Sequence, residues 1–370
     1  MTARRVIHYL DSEVYGGTEE AALQLMASLD RTRWEPMLLY HPGSGIGRLG
    51  ERAGQLHIPA RAMPRVEPGA RLGGVNRLRR LFRRERPTIV HAHLSWPFAC
   101  KHGVLAAWLA RVPAILGTAQ LFLPPDGSAQ PRWRLRAYRR IIAVSEEVRR
   151  RYAQELGVPD RRLAVVPNAI RVPPAAPRLL DLRTALLDGR PDYLVLTPAR
   201  LHPQKGHTHL IAAAAEVASA TFVFAGDGPL RRTLETQARE QGVAERCVFL
   251  GERDDVPQLL AAADLVVLPS LFEGLPVSVL EAMAAERPVI ATAIGGTDEA
   301  ITTEVTGLLV PPRDPSALAG AIRRLQGDPA LAGRLAAAAR ARVERSFSVD
   351  ATAREIMRIY DEVTGQAAGA

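Results

Sequence analysis

Short apolar runs alternate with longer segments of helical periodicity along this chain, and the alternation stops once and then starts again. In the first half RVIHYL (Arg4 to Leu10), EPMLLY, TIVHAH, PAILGTA, IIAVS and AVVPNA read as strands separated by helices. After the first of them, a turn at Gly16 and Gly17 leads into EEAALQLMASL, whose apolar residues recur at helical spacing as a crossover helix requires. RVPPAAP, Arg171 to Pro177, then holds three prolines and cannot keep a regular element. Beyond it YLVLTPA, TFVFAG, CVFLG, DLVVLPS, PVIAT and TGLLVP restart the series. The pattern predicts an α/β protein of two Rossmann-like βαβ domains, 1–175 and 176–345. A last helix from about Asp350 to Val363, within 346–370, follows a break near Phe347. Strand order is not legible at this level.

The bulk properties agree. A chain of 370 residues, 47% hydrophobic and 24% charged, suits two folded domains. Its two cysteines, Cys100 and Cys247, sit in different halves without metal-ligand spacing, which argues for a reducing compartment and against a zinc site. The start of the chain lacks the long apolar core of a secretory signal, and no run approaches the ~20 residues of a membrane span. The reading is cytoplasmic. The net charge of +9 hides an asymmetry: residues 1–180 hold 29 Lys and Arg against 14 Asp and Glu, a net of +15, leaving −6 for the rest. One half therefore suits an anionic partner. Aromatic content of 5% and the lack of a nucleic-acid module speak against nucleic acid.

Three local features carry chemistry. GGTEE, Gly16 to Glu20, puts paired glycines between a strand and a helix, where backbone and helix N-terminus can approach an anion. By itself a glycine pair is more often an ordinary tight turn. RLHPQKG, Arg200 to Gly206, follows a strand at the end where open α/β sheets bind ligands. Arg200 and Lys205 there could clamp a diphosphate and stabilise it as it departs, or be two solvated cations. FEGLPVSVLEA places Glu273 in a loop and Glu281 about two turns into the following helix, with Leu280 and Met283 facing the core. The pair could serve one ligand's sugar and ribose hydroxyls, or be solvated glutamates. AGDGP lacks the full GxGxxG spacing of a dinucleotide oxidoreductase.

Together with VHAH (Val90 to His93), AVSEEVRR, VVPNAI, ARLHPQKG, AGDGPLR, VFLGERDDVPQLLAAADLVVLPS and FEGLPVSVLEAMAAERPVIAT, these segments resemble, in order and spacing, the retaining GT-B-fold transferases of glycosyltransferase family 4. The resemblance covers nearly the whole chain. It implies an acceptor-binding first domain, a second domain that binds a nucleotide-sugar donor across a cleft, and a final helix crossing back onto the first. It also implies roles. Arg200 and Lys205 would hold the donor diphosphate, Glu273 the transferred sugar, Glu281 the ribose, and the backbone at Gly274 and Leu275 the sugar or phosphate. The segment Gly251 to Val256, with Arg253, would frame the base, and Gly16 and Gly17 would add donor contacts. Anomeric configuration would be retained, with no metal and no cofactor, and UDP is the family's commonest donor nucleotide. Acceptors would be glycans, lipid-linked intermediates or small molecules.

One departure stands out. Where the family's strand corresponding to PAILGTAQ ends in a histidine, this chain has Gln120, which can hydrogen-bond a hydroxyl but cannot titrate. Gln120 and His93 are the residues expected to face acceptor or sugar. The same departure leaves open a non-catalytic relative, whereas an epimerase or a phosphorylase finds less support.

The basic half holds GVNRLRRLFRRER, Gly74 to Arg86, with Val75, Leu78, Leu81 and Phe82 on one helical face, and PRWRLRAYRR, Pro131 to Arg140. Such basic segments can lie on an anionic membrane. The alternative is that the apolar face packs on the sheet and the arginines are solvated.

Overall fold

A computed structural model of the chain describes residues 3–43, 45–67, 71–122, 132–174, 177–190 and 192–365. The middle of RVPPAAP and the start of PRWRLRAYRR, with the side chains of Arg132 and Trp133, lie outside them. The chain forms two compact units, Met1–Arg171 with Val349–Ala370, and Val172–Ser348.

The first unit holds a parallel sheet of seven strands: β1 (Arg4–Leu10), β2 (Trp34–Tyr40), β3 (Ala60–Ala62), β4 (Ile89–Leu94), β5 (Ala114–Ala119), β6 (Arg140–Ala143) and β7 (Leu163–Val165). Their order is β3-β2-β1-β4-β5-β6-β7. β4 and β5 are buried along their whole length, as expected of parallel strands covered on both faces. The short edge strand β3 is the one the apolar pattern did not show.

The helix Arg71–Glu85 buries Val75, Leu78, Leu81 and Phe82, so its apolar stripe belongs to the core and is not a free membrane-binding face. The last helix, Val349–Thr364, packs Ala353, Ile356, Ile359 and Tyr360 against Val6, Ile89, Leu116 and Ile142 of this sheet. Its buried Asp361 accepts from Arg4 at 2.6 Å and pairs with Arg33, fastening the helix to the starts of β1 and β2.

The second unit has a six-stranded parallel sheet: β8 (Tyr193–Pro198), β9 (Ala220–Ala225), β10 (Cys247–Gly251), β11 (Leu265–Leu268), β12 (Val289–Thr292) and β13 (Leu308–Val310). Its order is β10-β9-β8-β11-β12-β13. Val195, Phe222, Phe224, Val267 and Ile290 meet Leu210, Ile211, Leu318 and Ile322 in one continuous core. Asp314 and Asp328 cap the helices Pro315–Gly327 and Pro329–Ser346, each accepting a backbone N–H at 2.9 Å. Cys100 and Cys247 are free and buried. Among the described residues no helix is long and apolar enough to cross a membrane.

Candidate active site

β8 and β11 are sequence-distant neighbours, and the strand order reverses between them. Ligands of open α/β sheets bind beyond the carboxyl ends of strands at such a point. Two loops leave from there. The first, Ala199 to Gly206, contains a turn of 3₁₀-helix at Pro203–Lys205 whose Gln204 N–H is capped by the His202 ring at 3.4 Å. It ends on Gly206 at φ 65°, where a Cβ would lie 2.0 Å from the Pro269 carbonyl oxygen. Only glycine lets this loop press against the second, which runs from Pro269 to Pro276.

The two loops are then tied together. The Leu271 N–H donates to the Gln204 carbonyl at 2.7 Å. The Gln204 side-chain amide donates to the Phe272 carbonyl at 3.1 Å and to Oε2 of Glu273 at 3.2 Å. Lys205 Nζ pairs with the other oxygen, Oε1, of the same carboxylate. The structure therefore brings together Lys205 and Glu273, both largely buried, while Arg200 stays exposed at the head of the loop. The His207 ring donates from Nε2 to the Arg200 carbonyl at 2.9 Å, which fixes the backbone beneath that arginine. Burial, with Lys205 nearby, brings the His207 pKa down to about 4, so the ring is neutral near pH 7.

A third loop closes on Gly274. Gly296, at φ 83° beyond β12, has its Cβ direction 1.5 Å from the Gly274 carbonyl oxygen, so the backbone at Gly274 and Leu275 is flanked at van der Waals distance. Leu275 is buried, and so are Leu280 and Met283 on the core side of the helix Val277–Ala284. Glu281 is the fifth residue of that helix. It lies a little over one turn in, not two, because Gly274 to Pro276 remain loop.

Gly251, Arg253 and Val256 sit apart from the Lys205–Glu273 pair, at the end of β10, which β9 separates from β8. Gly251 adopts φ 73°, Val256 opens the helix Val256–Ala262, and the exposed Arg253 turns its fork onto Asp255 at 2.7 and 2.5 Å.

Sequence reasoning missed Gln204 and Gly296. The second had a visible signal: IGGTDEA, Ile294 to Ala300, nearly repeats YGGTEEA, Tyr15 to Ala21.

In the first unit the order reverses between β1 and β4. Gly16 is the extended N-cap of the helix Gly17–Ala27 that follows β1. Glu20 in its first turn accepts from Gln24 at 2.7 Å and Arg52 at 3.3 Å and binds the Tyr15 hydroxyl. His93, near the end of β4, and Gln120, just after β5, line one small pocket with Thr118, Asn168 and Ala21. Oε1 of Gln120 accepts from Asn168 Nδ2 at 2.8 Å.

Behind this pocket three histidines share one face of the sheet. His8 stands opposite His91 in register, and His93 follows two residues on. His8 Nδ1 lies 2.9 Å from His93 Nε2, and His91 is held by the Tyr360 hydroxyl at 2.6 Å and Thr118 Oγ1 at 2.7 Å. Among the described residues these are the group of three whose ligand atoms come within reach of one metal ion. The His91 and His93 rings are stacked, however, 4.7 Å apart and 23° from parallel. Both ring nitrogens of His91 are in hydrogen bonds, whereas His8 Nε2 and His93 Nδ1 are buried with no partner among the described residues. Burial holds all three well below the ordinary histidine range, His93 at about 3.

Two Rossmann-like parallel sheets, with charged and polar side chains at the switch point of the second, are the build of a GT-B nucleotide-sugar transferase. The chain belongs to the glycosyltransferases of group 1, family 4. Residues 15–172 match the family described as Glycosyltransferase Family 4, and residues 192–328 match Glycosyl transferases group 1. It is 30% identical over 313 residues to the 2-deoxystreptamine glucosyltransferase of Streptomyces kanamyceticus, covering 78% of this chain and 80% of that one. It is also 30% identical over 276 residues to the UDP-Gal:alpha-D-GlcNAc-diphosphoundecaprenol alpha-1,3-galactosyltransferase of Escherichia coli, covering 69% and 70%. Among solved structures, Anabaena Alr3699/HepE in complex with UDP-glucose superposes with a TM-score of 0.83 at 23% identity, over 97% of this chain and 99% of that one. A glycosyltransferase from Rickettsia africae gives 0.83 at 20% identity over 99% and 100%. The fold is GT-B, and the protein is a glycosyltransferase.

Proposed function

We propose that this enzyme transfers a sugar from a UDP-sugar donor to a hydroxyl of a glycan, lipid-linked or small-molecule acceptor, with retention of configuration and without a metal. The observation that carries the reading is the pairing of Lys205 with Glu273 across two loops at the sheet's switch point, with Arg200 exposed beside them. The second unit would be the donor-binding domain and the first the acceptor-binding domain.

In this reading Arg200 and Lys205 bind the diphosphate and stabilise the charge it gains as the C1–O bond breaks. Glu273, held by Lys205 and Gln204, accepts hydrogen bonds from the sugar, and Glu281 from the ribose. Gly274 and Leu275 present backbone to sugar or phosphate, the Gly251–Val256 segment frames the base, and Gly16 and Gly17 add donor contacts. The acceptor oxygen attacks C1 on the face the diphosphate leaves, and its proton passes to a phosphate oxygen of the leaving group. No side chain needs to act as general base, which accommodates Gln120 where the family has histidine. A UDP-glucose complex of the Anabaena structure and the UDP-galactose donor of the Escherichia coli relative support the choice of nucleotide. Free thiols at Cys100 and Cys247 suit the cytoplasm.

The test is a panel of UDP- and GDP-sugars assayed for hydrolysis and for transfer to pooled acceptors, with product mass as readout. Release of UDP from at least one UDP-sugar is expected. Binding of nucleotide sugars without turnover of any would make the chain a binding protein that kept the fold.

A further inference from the structure

The small pocket shared by Gln120 and His93 has two unlike walls. It is a recess of about 30 Å³, room for two water-sized groups, and no charged side chain lines it. Ala21, Ala22, Leu25, Val166 and Ile356 make one wall apolar, and His93, Thr118, Gln120 and Asn168 make the other polar. Asn168 Nδ2 donates to Oε1 of Gln120 at 2.8 Å. The amide oxygen is thereby used, and Gln120 Nε2 is left as a donor with no hydrogen bond among the described residues.

His93 supplies a second donor. Its Nε2 lies 2.9 Å from His8 Nδ1, with one proton between them, and the two outer nitrogens, His93 Nδ1 and His8 Nε2, are buried without a partner. Both rings are neutral, because burial holds His8 well below the ordinary range and His93 at about 3. Were the shared proton on His93, His8 would carry its own on Nε2, and His8 does not line the recess. That N–H would be orphaned in the core, a costly arrangement. The opposite tautomer puts the outer proton on Nδ1 of His93, a lining residue, where a ligand atom can accept it.

We infer that the recess takes the N-acetyl group of an amino-sugar acceptor, its carbonyl oxygen on Gln120 Nε2 and His93 Nδ1 and its methyl against the apolar wall. Two donors select an atom that only accepts. A carboxylate would satisfy them too, but as a buried charge with no cation beside it. A hydroxyl would turn a hydrogen toward two donors and leave the alanine and leucine side chains uncovered. An acetyl group is one polar and one apolar group of about water size, which matches both the volume and the division of the lining. Asn168 acts through Gln120 as a positioning residue: it decides which end of the amide meets the ligand. That the sugar is the acceptor rests on the proposal that the first unit is the acceptor-binding domain.

The experiment has two arms. Saturation-transfer NMR of the full chain with N-acetylglucosamine, N-acetylgalactosamine and N-acetylmannosamine requires no turnover. With at least one of them the acetyl methyl should receive more saturation than any ring proton, and Gln120→Leu and Asn168→Asp should each lose most of that signal. An ionised aspartate only accepts, so at about pH 8 it turns the Gln120 amide over and aims its oxygen at the carbonyl. The second arm compares the same sugar with its 2-hydroxy and 2-amino counterparts as acceptors, using whichever UDP-sugar the enzyme hydrolyses. kcat/KM should favour the acetamido sugar by about tenfold or more in the wild type, and the preference should vanish in both variants while circular dichroism stays that of the wild type. The proposal is overturned if no methyl is saturated with any of the three sugars, or if both variants keep the acetamido preference. Methyl contact in a chain that hydrolyses no UDP-sugar would sink the transferase reading and still support the recess as an acetamido site.

Discussion

Gln204 donates to one oxygen of Glu273 at 3.2 Å while the adjacent Lys205 pairs with the other, so a single turn of chain orients both oxygens of a buried carboxylate. Arg200, in the same loop, is exposed. The two cations therefore differ in what they do for the resting protein. Arg200→Ala should cost 10²-fold or more in turnover, the usual loss for one preorganised charge contact, with an unchanged unfolding midpoint. Lys205→Ala should cost as much turnover and also about 1–3 kcal/mol of stability, because Glu273 loses its charged partner. Lys205→Ala/Glu273→Ala should regain most of that stability. Denaturant titrations of the four proteins decide it, and equal stability of Arg200→Ala and Lys205→Ala would remove the structural part of the pair.

Gln120 has no titrating proton, and its amide oxygen is engaged by Asn168. Turnover under saturating donor should therefore be level between about pH 6.5 and 8, the window in which an ordinary histidine would change charge. Gln120→His should leave the profile level there as well, because burial in the pocket that holds His93 would keep an imidazole at this position neutral. A wild-type profile that already bends there would assign a proton transfer to some other side chain.

Charge at the leaving diphosphate is supplied in this reading by Arg200 and Lys205, so activity should survive chelator and the product should keep the donor's anomeric configuration. NMR of the purified glycoside and an assay in EDTA test the two independently. Activity abolished by EDTA and restored by magnesium or manganese would refute the metal-free half; an inverted product would refute the retaining half.

How much of this was legible in the sequence follows from what kind of fact each part is. β4 and β5 are buried on both faces and largely apolar, so their runs showed at once, while β3 is three residues at a sheet edge with Arg61 in the middle and gives no run. Arg200, Lys205, Glu273 and Glu281 were visible because motif and spacing are local. Gln204 was not, because its role depends on β8 lying beside β11, and strand order is a tertiary outcome.

His8, His91 and His93 are neutral in the folded state, their pKa values held below the unfolded 6.5 by burial. Below pH 6.5 the unfolded chain binds protons that the folded chain refuses, so this contribution is fully present above that pH and is lost as pH falls toward the folded values. The slope is at most about 1.4 kcal/mol per pH unit for each histidine. Unfolding free energy of the first unit should thus drop between pH 6.5 and 4, and His93→Gln should flatten the slope. An identical slope in the variant would place the acid sensitivity among the carboxylates.

Gly296 offers a test of how the donor site is shaped. Its φ of 83° is strained for any L side chain, and a Cβ there would meet the Gly274 carbonyl oxygen at 1.5 Å, a backbone atom that cannot rotate away. Gly296→Ala must therefore displace the Gly274–Leu275 segment, the backbone assigned to the transferred sugar or phosphate. Gly54→Ala, in the helix Gly47–Gln55, is the control: nothing lies within 4 Å of its added methyl, and alanine suits a helix better than glycine. The expectation is a donor KM raised tenfold or more in Gly296→Ala at a protein concentration corrected for folded fraction, with Gly54→Ala indistinguishable from wild type. Unchanged donor KM in a folded Gly296→Ala protein would mean that the Gly274 backbone does not touch the donor, and the sugar would have to be held by Glu273 and Lys205 alone.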